Sequence, residues 1–407
     1  MTLKRTVSRL QRLCAMVVGV VFLLAGIFKL FDPVGAGLVM EEYLRFLHLP
    51  FLMGWAKGIA FAMAFLESLL GAALISGIVR KLSAVLTFIL LGVFTLLTLV
   101  LAIVNPEMDC GCFGEVIHLT HFQTFLKNIV LLALSFAAFL PFRNLGQCKR
   151  RKMVAFAIAA VSLAVFGFNS WKSIPSVDFT AFAPGSELLA SAGGADDEEE
   201  YSSTFIYEKD GREESFTLDA LPDSTWNFVR TETVRLNGAE DGDETPSLSF
   251  HDSEGLDCDQ LATKGDVLVV SSYDPQMVKG EEWTRMAGTL DDAASVGFVP
   301  VLLVSSSQNA IDTSTVMLPD VRERLSGHTF FADRKTLLSL NRSNGGATWF
   351  SDGQLILKFD LAGLPDKDEL LTMTGDDPAE VMMRRSTEGH LHFEGFILYI
   401  LALLLLI

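Results

Sequence analysis

Leu82 to Val104 reads LSAVLTFILLGVFTLLTLVLAIV, and shortly after it comes Asp109-Cys110-Gly111-Cys112-Phe113-Gly114. The first stretch carries no charge over about 23 residues. At about 1.5 Å of rise per residue it is long enough to cross a hydrocarbon core of about 30 Å. The second places two of the chain's five cysteines one glycine apart. A polar, potentially redox-active spot at the end of a membrane helix is the feature from which the rest of the chain can be placed.

Four further apolar runs surround it. Leu13 to Phe31 is stopped by Asp32-Pro33. Leu52 to Ile78 is preceded by a loop over Val34 to Phe51 and carries Glu67 near its middle. Phe125 to Phe142 and Val154 to Trp171 complete a set of five spans. Basic residues cluster at the N-terminus, at Arg80-Lys81 and over Arg143 to Lys152. All three fall on one side if the spans alternate, so these are the expected cytoplasmic faces. The dithiol loop then lies outside the cytoplasm, where disulfides persist.

The chain has 407 residues, half of them apolar, yet its net charge is −17. The acidity is segregated. Residues 172–394 hold roughly −25, and the remainder roughly +8. One part is built for lipid and another for water, and so acidic a surface argues against nucleic acid as a partner. Residues 173–200 read as a solvated acidic tether. Beyond it, Thr204 to Tyr207 and Ser215 to Leu218 flank Asp210-Gly211, a hairpin signal. Leu248 to Phe250 reads as another short β segment.

A strand over 266–273, a helix over 277–296 and a strand over 298–304 follow. Next come a helix over 319–325, a strand over 329–331 and a helix over 336–342. A hairpin over 347–359 and a helix near 366–373 complete the order. Strand–helix–strand–helix–hairpin–helix is the thioredoxin-like order. The turn where such a domain carries C-x-x-C reads Ser272-Tyr273-Asp274-Pro275-Gln276-Met277. The turn that carries a cis-proline reads Ser343-Asn344-Gly345-Gly346. Lacking both, the domain is expected to dock partners rather than exchange thiols. Leu391 to Ile407 is apolar apart from His392 and Glu394. Its pure run is only about 12 residues, short of the roughly 20 needed to span. One reading is a sixth span whose cytoplasmic tail lies beyond Ile407.

Cys110 and Cys112 are the candidate reactive pair. Gly111 allows the backbone turn that a bridge between them needs, and a ring this small is strained and exchanges readily. A structural disulfide is the competing reading. A third is a metal site made with His118 and His121, at a spacing uncommon for zinc. Otherwise both histidines are expected to face solvent at the membrane surface. Glu67 is a functional candidate because intramembrane carboxylates are costly; it could accept a proton or pair with Lys29. Lys29 otherwise reads as an interfacial anchor. Cys14 and Cys148 read as inert thiols, and Cys258 as an unpaired one.

Ala25 to Pro33, Glu67 with Gly71, and above all Asp109 to Gly114 resemble the DoxX-like superfamily, in particular its MauE type. The full architecture resembles an uncharacterised family of Gram-negative anaerobes, on Phe205 to Gly211, Pro222 to Trp226 and Thr336 to Asn344. That family leads us to expect proline where Gly345 stands. The resemblance implies a membrane α-helical bundle of four DoxX/MauE-like spans over 1–145, plus a fifth over 146–172. It continues with the tether, an α/β thioredoxin-like extracytoplasmic domain over 201–385, and the apolar segment 391–407. It implies thiol–disulfide exchange or support of disulfide formation through Cys110 and Cys112 at the periplasmic face of the inner membrane. Protein thiols or another redox protein would be the partners, the lipid bilayer the surroundings, and a quinone an admissible cofactor. The alternative is a scaffold that docks periplasmic partners on the degenerate domain.

Overall fold

The computed structural model describes residues 2–106, 108, 110–117, 119–140, 150–188, 201–209, 212–217, 227–235, 247–306 and 316–406. Six of its helices are long and apolar enough to cross a membrane. They lie in α1 (Thr2–Phe31), α3 (Ala56–Ser76), α4 (Arg80–Val104), α5 (His121–Phe139), α6 (Arg150–Lys172) and α11 (Pro378–Leu406).

The closest pair is α1 with α3, and small residues make it so. A Cβ on Gly71 would lie 2.4 Å from the Leu23 nitrogen, and one on Gly26 would lie 2.2 Å from the Ser68 hydroxyl. Backbones that approach this closely replace the hydrophobic drive that is missing between helices in lipid. The same contact sets Lys29, just past Gly26, against Glu67, just before Ser68.

One sequence expectation changes here, while the sixth-span reading of the C-terminal run agrees with a longer helix. The presumed loop after Phe31 is helix α2 (Pro33–Phe46), followed by a 3-10 turn over Pro50–Trp55. Asp32-Pro33 does end α1, but it also starts α2. The Asp32 side chain accepts the Gly35 N–H, and Pro33 takes the first helical turn. The apolar run near the C-terminus is the second half of α11, 29 residues long. Its first half is polar, so a search for a continuous apolar run undercounts it. Phe393 of α11 packs tilted at 4.2 Å against Phe31 of α1, and Phe396 stacks at 4.2 Å on Phe166 of α6.

The water-side part holds a five-stranded mixed sheet, ordered β7-β6-β5-β8-β9. Strands β5 (Asp266–Ser272), β6 (Val299–Val304) and β7 (Thr329–Phe331) run parallel. Strands β8 (Gly346–Ser351) and β9 (Gln354–Phe359) form an antiparallel hairpin on the other side of β5. Its turn, Asp352-Gly353, has positive φ at both residues, as a tight hairpin requires. β5 is buried on both faces, which is why its sequence is a continuous branched run rather than an alternating one. Leu268 and Val270 pack under α7 (Gly280–Val296), α8 (Pro319–Ser326) and α10 (Lys367–Gly375). Val267 and Val269 pack under α9 (Arg334–Leu340), with Phe250 and Phe182. Leu248 to Phe250 is not a strand. The neighbouring His251 forms single bridges to Asp257 and Phe331 instead.

A separate antiparallel sheet of order β3-β2-β4 joins β2 (Tyr201–Lys209), β3 (Arg212–Thr217) and β4 (Asn227–Arg235). The pairing of β2 with β3 is the hairpin expected around Asp210-Gly211. β4 was not foreseen.

Candidate functional site

The turn after α4 leads into β1 (Cys112–Glu115), a short strand that carries one of the two thiols. Cys110 is 5% exposed and Cys112 is half-buried. Their Sγ atoms lie 3.9 Å apart, in thiol hydrogen-bond range, and both are unbridged. Gly111 has φ +54°, and a Cβ there would sit 2.3 Å from Val39 Cγ1 of α2. Glycine is therefore needed twice at this position, for the turn and for the close approach of α2. From α2, the Tyr43 hydroxyl donates a hydrogen bond to the Cys110 carbonyl.

Glu67 is 2% exposed. Lys29 Nζ donates to both of its carboxylate oxygens, at 3.0 and 2.9 Å. Lys29 is thus the Glu67 partner rather than an anchor at the interface. Lys29, Glu67, Cys110 and Cys112 all line one cavity of about 250 Å³ among α1, α2, α3, α4 and α5. Its other walls are mainly apolar, with Phe22, Met63, Phe94 and Leu131 among them. Leu47, just past α2, and Val93 of α4 line it and are themselves exposed on the outer surface. The cavity therefore reaches the lipid-facing side between these helices.

The two thiols are electrostatically unequal. The hydrogen bond from Cys110 is the largest influence on Cys112. Burial opposes it, but the Lys127 and Lys29 ammoniums add to it, and the Cys112 thiol comes down to about 6. Cys110 moves the other way. Its proton is held against Cys112, and burial disfavours its charge. Lys127 lies 4.6 Å from the centre of the Phe113 ring, a cation–π contact that keeps the ammonium beside β1.

The metal reading gains nothing from His121. Its ring is buried, not solvent-facing, and Nε2 lies 3.1 Å from the Pro106 carbonyl. The N-terminus of α5, capped by Thr120 and Gln123, turns it inward. His118 and Asp109 lie outside the described residues, as does Cys148. Among the described residues no cluster of three or more His, Cys, Asp or Glu could hold an ion. Cys14 is buried in α1, and Cys258 is half-exposed with its thiol 3.4 Å from the Leu256 carbonyl.

Sequence reasoning missed the residues that come from α2 and from the sheet domain. Tyr43 was hidden in a supposed loop, although the Asp-Pro start signal was available. Arg342 fell inside the stretch Thr336 to Asn344 that carries the resemblance, but nothing in the sequence pointed to its partners. Its side chain, 4% exposed, leaves the end of α9 and enters the membrane domain. Nε donates to Asp32 Oδ2 and Nη2 to Glu115 Oε1, both at 3.0 Å. Burial works against its charge, and the two carboxylates outweigh it, raising its pKa further.

Residues 7–141 match the family model described as Methylamine utilisation protein MauE, a match that runs from α1 through the dithiol loop to the end of α5. The chain therefore contains a MauE-type membrane domain and is a multi-pass membrane protein. Residues 201–236, the three-stranded sheet, match a domain of unknown function, DUF8463. No curated protein and no solved structure matches the chain.

Proposed function

We propose that Cys110 and Cys112 form a thiol–disulfide exchange centre in the membrane domain. The carrying observation is their placement: two thiols 3.9 Å apart that share a mainly apolar cavity with the Lys29–Glu67 pair. Cys112, the more acidic thiol, is the attacking group. Its thiolate displaces one sulfur of a partner disulfide and forms a mixed disulfide. Cys110 then gives up its proton and attacks Cys112 Sγ, releasing the second partner sulfur. The partner gains two electrons and two protons, and Cys110–Cys112 becomes a disulfide. The reverse sequence oxidises a partner dithiol.

The cavity suits a lipid-soluble quinone in the character of its walls and in its reach toward the lipid-facing side. Such a group, when bound, supplies a two-electron, two-proton sink for the dithiol. Lys29 and Glu67 would meet the polar end of a ligand there, Glu67 as a proton carrier once Lys29 turns toward the ligand.

The sheet order supports a thioredoxin-like reading of the water-side domain, with β5 central and the β8–β9 hairpin antiparallel to it. The three basic clusters support an inner-membrane orientation with this domain in the periplasm. The scaffold alternative needs the face of the missing active site, around Ser343 to Gly346, to be open to a partner. Arg342, which leads into that turn, is engaged by the chain's own bundle, which favours the exchange reading.

The test is alkylation trapping of the purified protein across a thiol–disulfide buffer series, read by peptide mass. Cys110 and Cys112 should pass together from dithiol to disulfide. A pair that stays in one state across the whole series rules the proposal out.

A further inference from the structure

Arg342 touches Asp32, which caps the helix packed on the dithiol loop, and Glu115, at the far end of that loop, and the two contacts lead to different thiols. Asp32 begins α2. Its Oδ1 accepts the Gly35 N–H, while its Oδ2 accepts Arg342 Nε. Further along α2, Val39 presses on Gly111 and Tyr43 bonds the Cys110 carbonyl. Glu115 ends β1, which begins at Cys112. A third donor, Arg342 Nη1, bonds the Leu338 carbonyl at 3.0 Å, so the side chain is braced from its own domain.

The membrane side is shaped to receive it. A Cβ on Gly35 would lie 2.3 Å from Asp32 Oδ2 and 3.0 Å from Arg342 Nη2. Only a glycine leaves room for the guanidinium beside the cap. A planar fork that reaches two separate carboxylates is a geometry that arginine can supply and lysine cannot.

We infer that Arg342 is a positioning residue for the dithiol, through which the water-side domain sets the spacing of Cys112 from Cys110 and from Lys127. This rests on the exchange reading above. Without the brace, Glu115 and the start of α2 are free to separate. Cys112 then leaves the neighbours that favour its thiolate and behaves more like an ordinary thiol.

The experiment is the rate of Cys112 alkylation against pH in the full-length protein, reduced and held in detergent, read on the Cys112 peptide. Arg342→Gln should raise the midpoint by about one pH unit, a roughly tenfold slower rate below the midpoint. Arg342→Lys should recover part of that shift. Glu115→Gln keeps the Asp32 contact and serves where Arg342→Gln does not fold; it should shift the midpoint in the same direction. Folded Arg342→Gln or Glu115→Gln protein with the wild-type midpoint overturns the inference. The readout needs no partner disulfide. A shifted midpoint in a protein whose pair never exchanges would therefore sink the exchange reading alone.

Discussion

Lys29, half-buried, and Arg342, buried, are both cations held by carboxylates, but they are satisfied in different ways. Lys29 has one partner, Glu67, on a neighbouring helix of the same bundle, and both of that partner's oxygens point at it. Arg342 has two partners, from two segments of a different domain, and each of those keeps some contact with water. The first pair is satisfied inside one bundle, both carboxylate oxygens facing one ammonium, so it behaves as a closed unit. The second sits at a domain boundary, where a fork can join pieces that would otherwise move apart. A compact ammonium suits the first role and a guanidinium the second.

The sharpest way to break this comparison is to remove one half of the closed pair. Glu67→Gln leaves the Lys29 ammonium without its countercharge, at a cost of about 3–5 kcal/mol. A Lys29→Met/Glu67→Met double variant should recover most of it. Thermal unfolding in detergent reads both, and a Glu67→Gln protein that melts with wild type would mean that the pair is open to water. Arg342→Ala should cost less than that, because Asp32 and Glu115, both partly exposed, can turn toward solvent. Its clearer sign is faster proteolysis in the segment 173–188 that links the two domains. Equal protease resistance would argue that the aromatic packing of α11 alone holds the domain in place.

Next comes a pH effect. The Cys112 pKa lies below that of an ordinary thiol, so its thiolate is present above about pH 6 and is lost as pH falls through that value. Labelling by iodoacetamide should follow that curve, while Cys258, whose pKa is raised by burial and by nearby Asp252, labels only at alkaline pH. Coincident curves for the two cysteines would remove the lowered Cys112 pKa on which the attacking role rests. The smallest effect belongs to the exposed pairs at the same boundary, Arg334–Glu41 and Lys335–Glu42. Replacing Arg334 or Lys335 by Ala should change stability by less than about 1 kcal/mol. A larger loss would shift the docking role from Arg342 to the rim.

The membrane spans were legible because hydropathy accumulates over neighbouring residues, and the two buried parallel strands because a branched apolar run is equally local. Cys110 and Cys112 announced themselves by proximity in the chain. α2 was misread because a short helix with Glu41, Glu42 and Arg45 lacks the length of a span. Only one face of it is apolar, the face that meets the cavity. α11 was undercounted because its polar half leans on the water-side domain. His121 looked solvent-facing because its burial comes from the direction of α5, not from its neighbours in sequence.

Sequence alone therefore determined that this is a multi-pass membrane protein with an acidic α/β domain and one close pair of cysteines. All of these are properties of adjacent residues. Tertiary structure decided which charges meet. Asp32 and Arg342 lie 310 residues apart, and Lys29 and Glu67 lie 38 apart on separate helices. No local pattern encodes such pairings, because they depend on how close the backbones come. Glycines at 26, 35, 71 and 111 permit that approach, and their role is visible only when the opposing surface is in place.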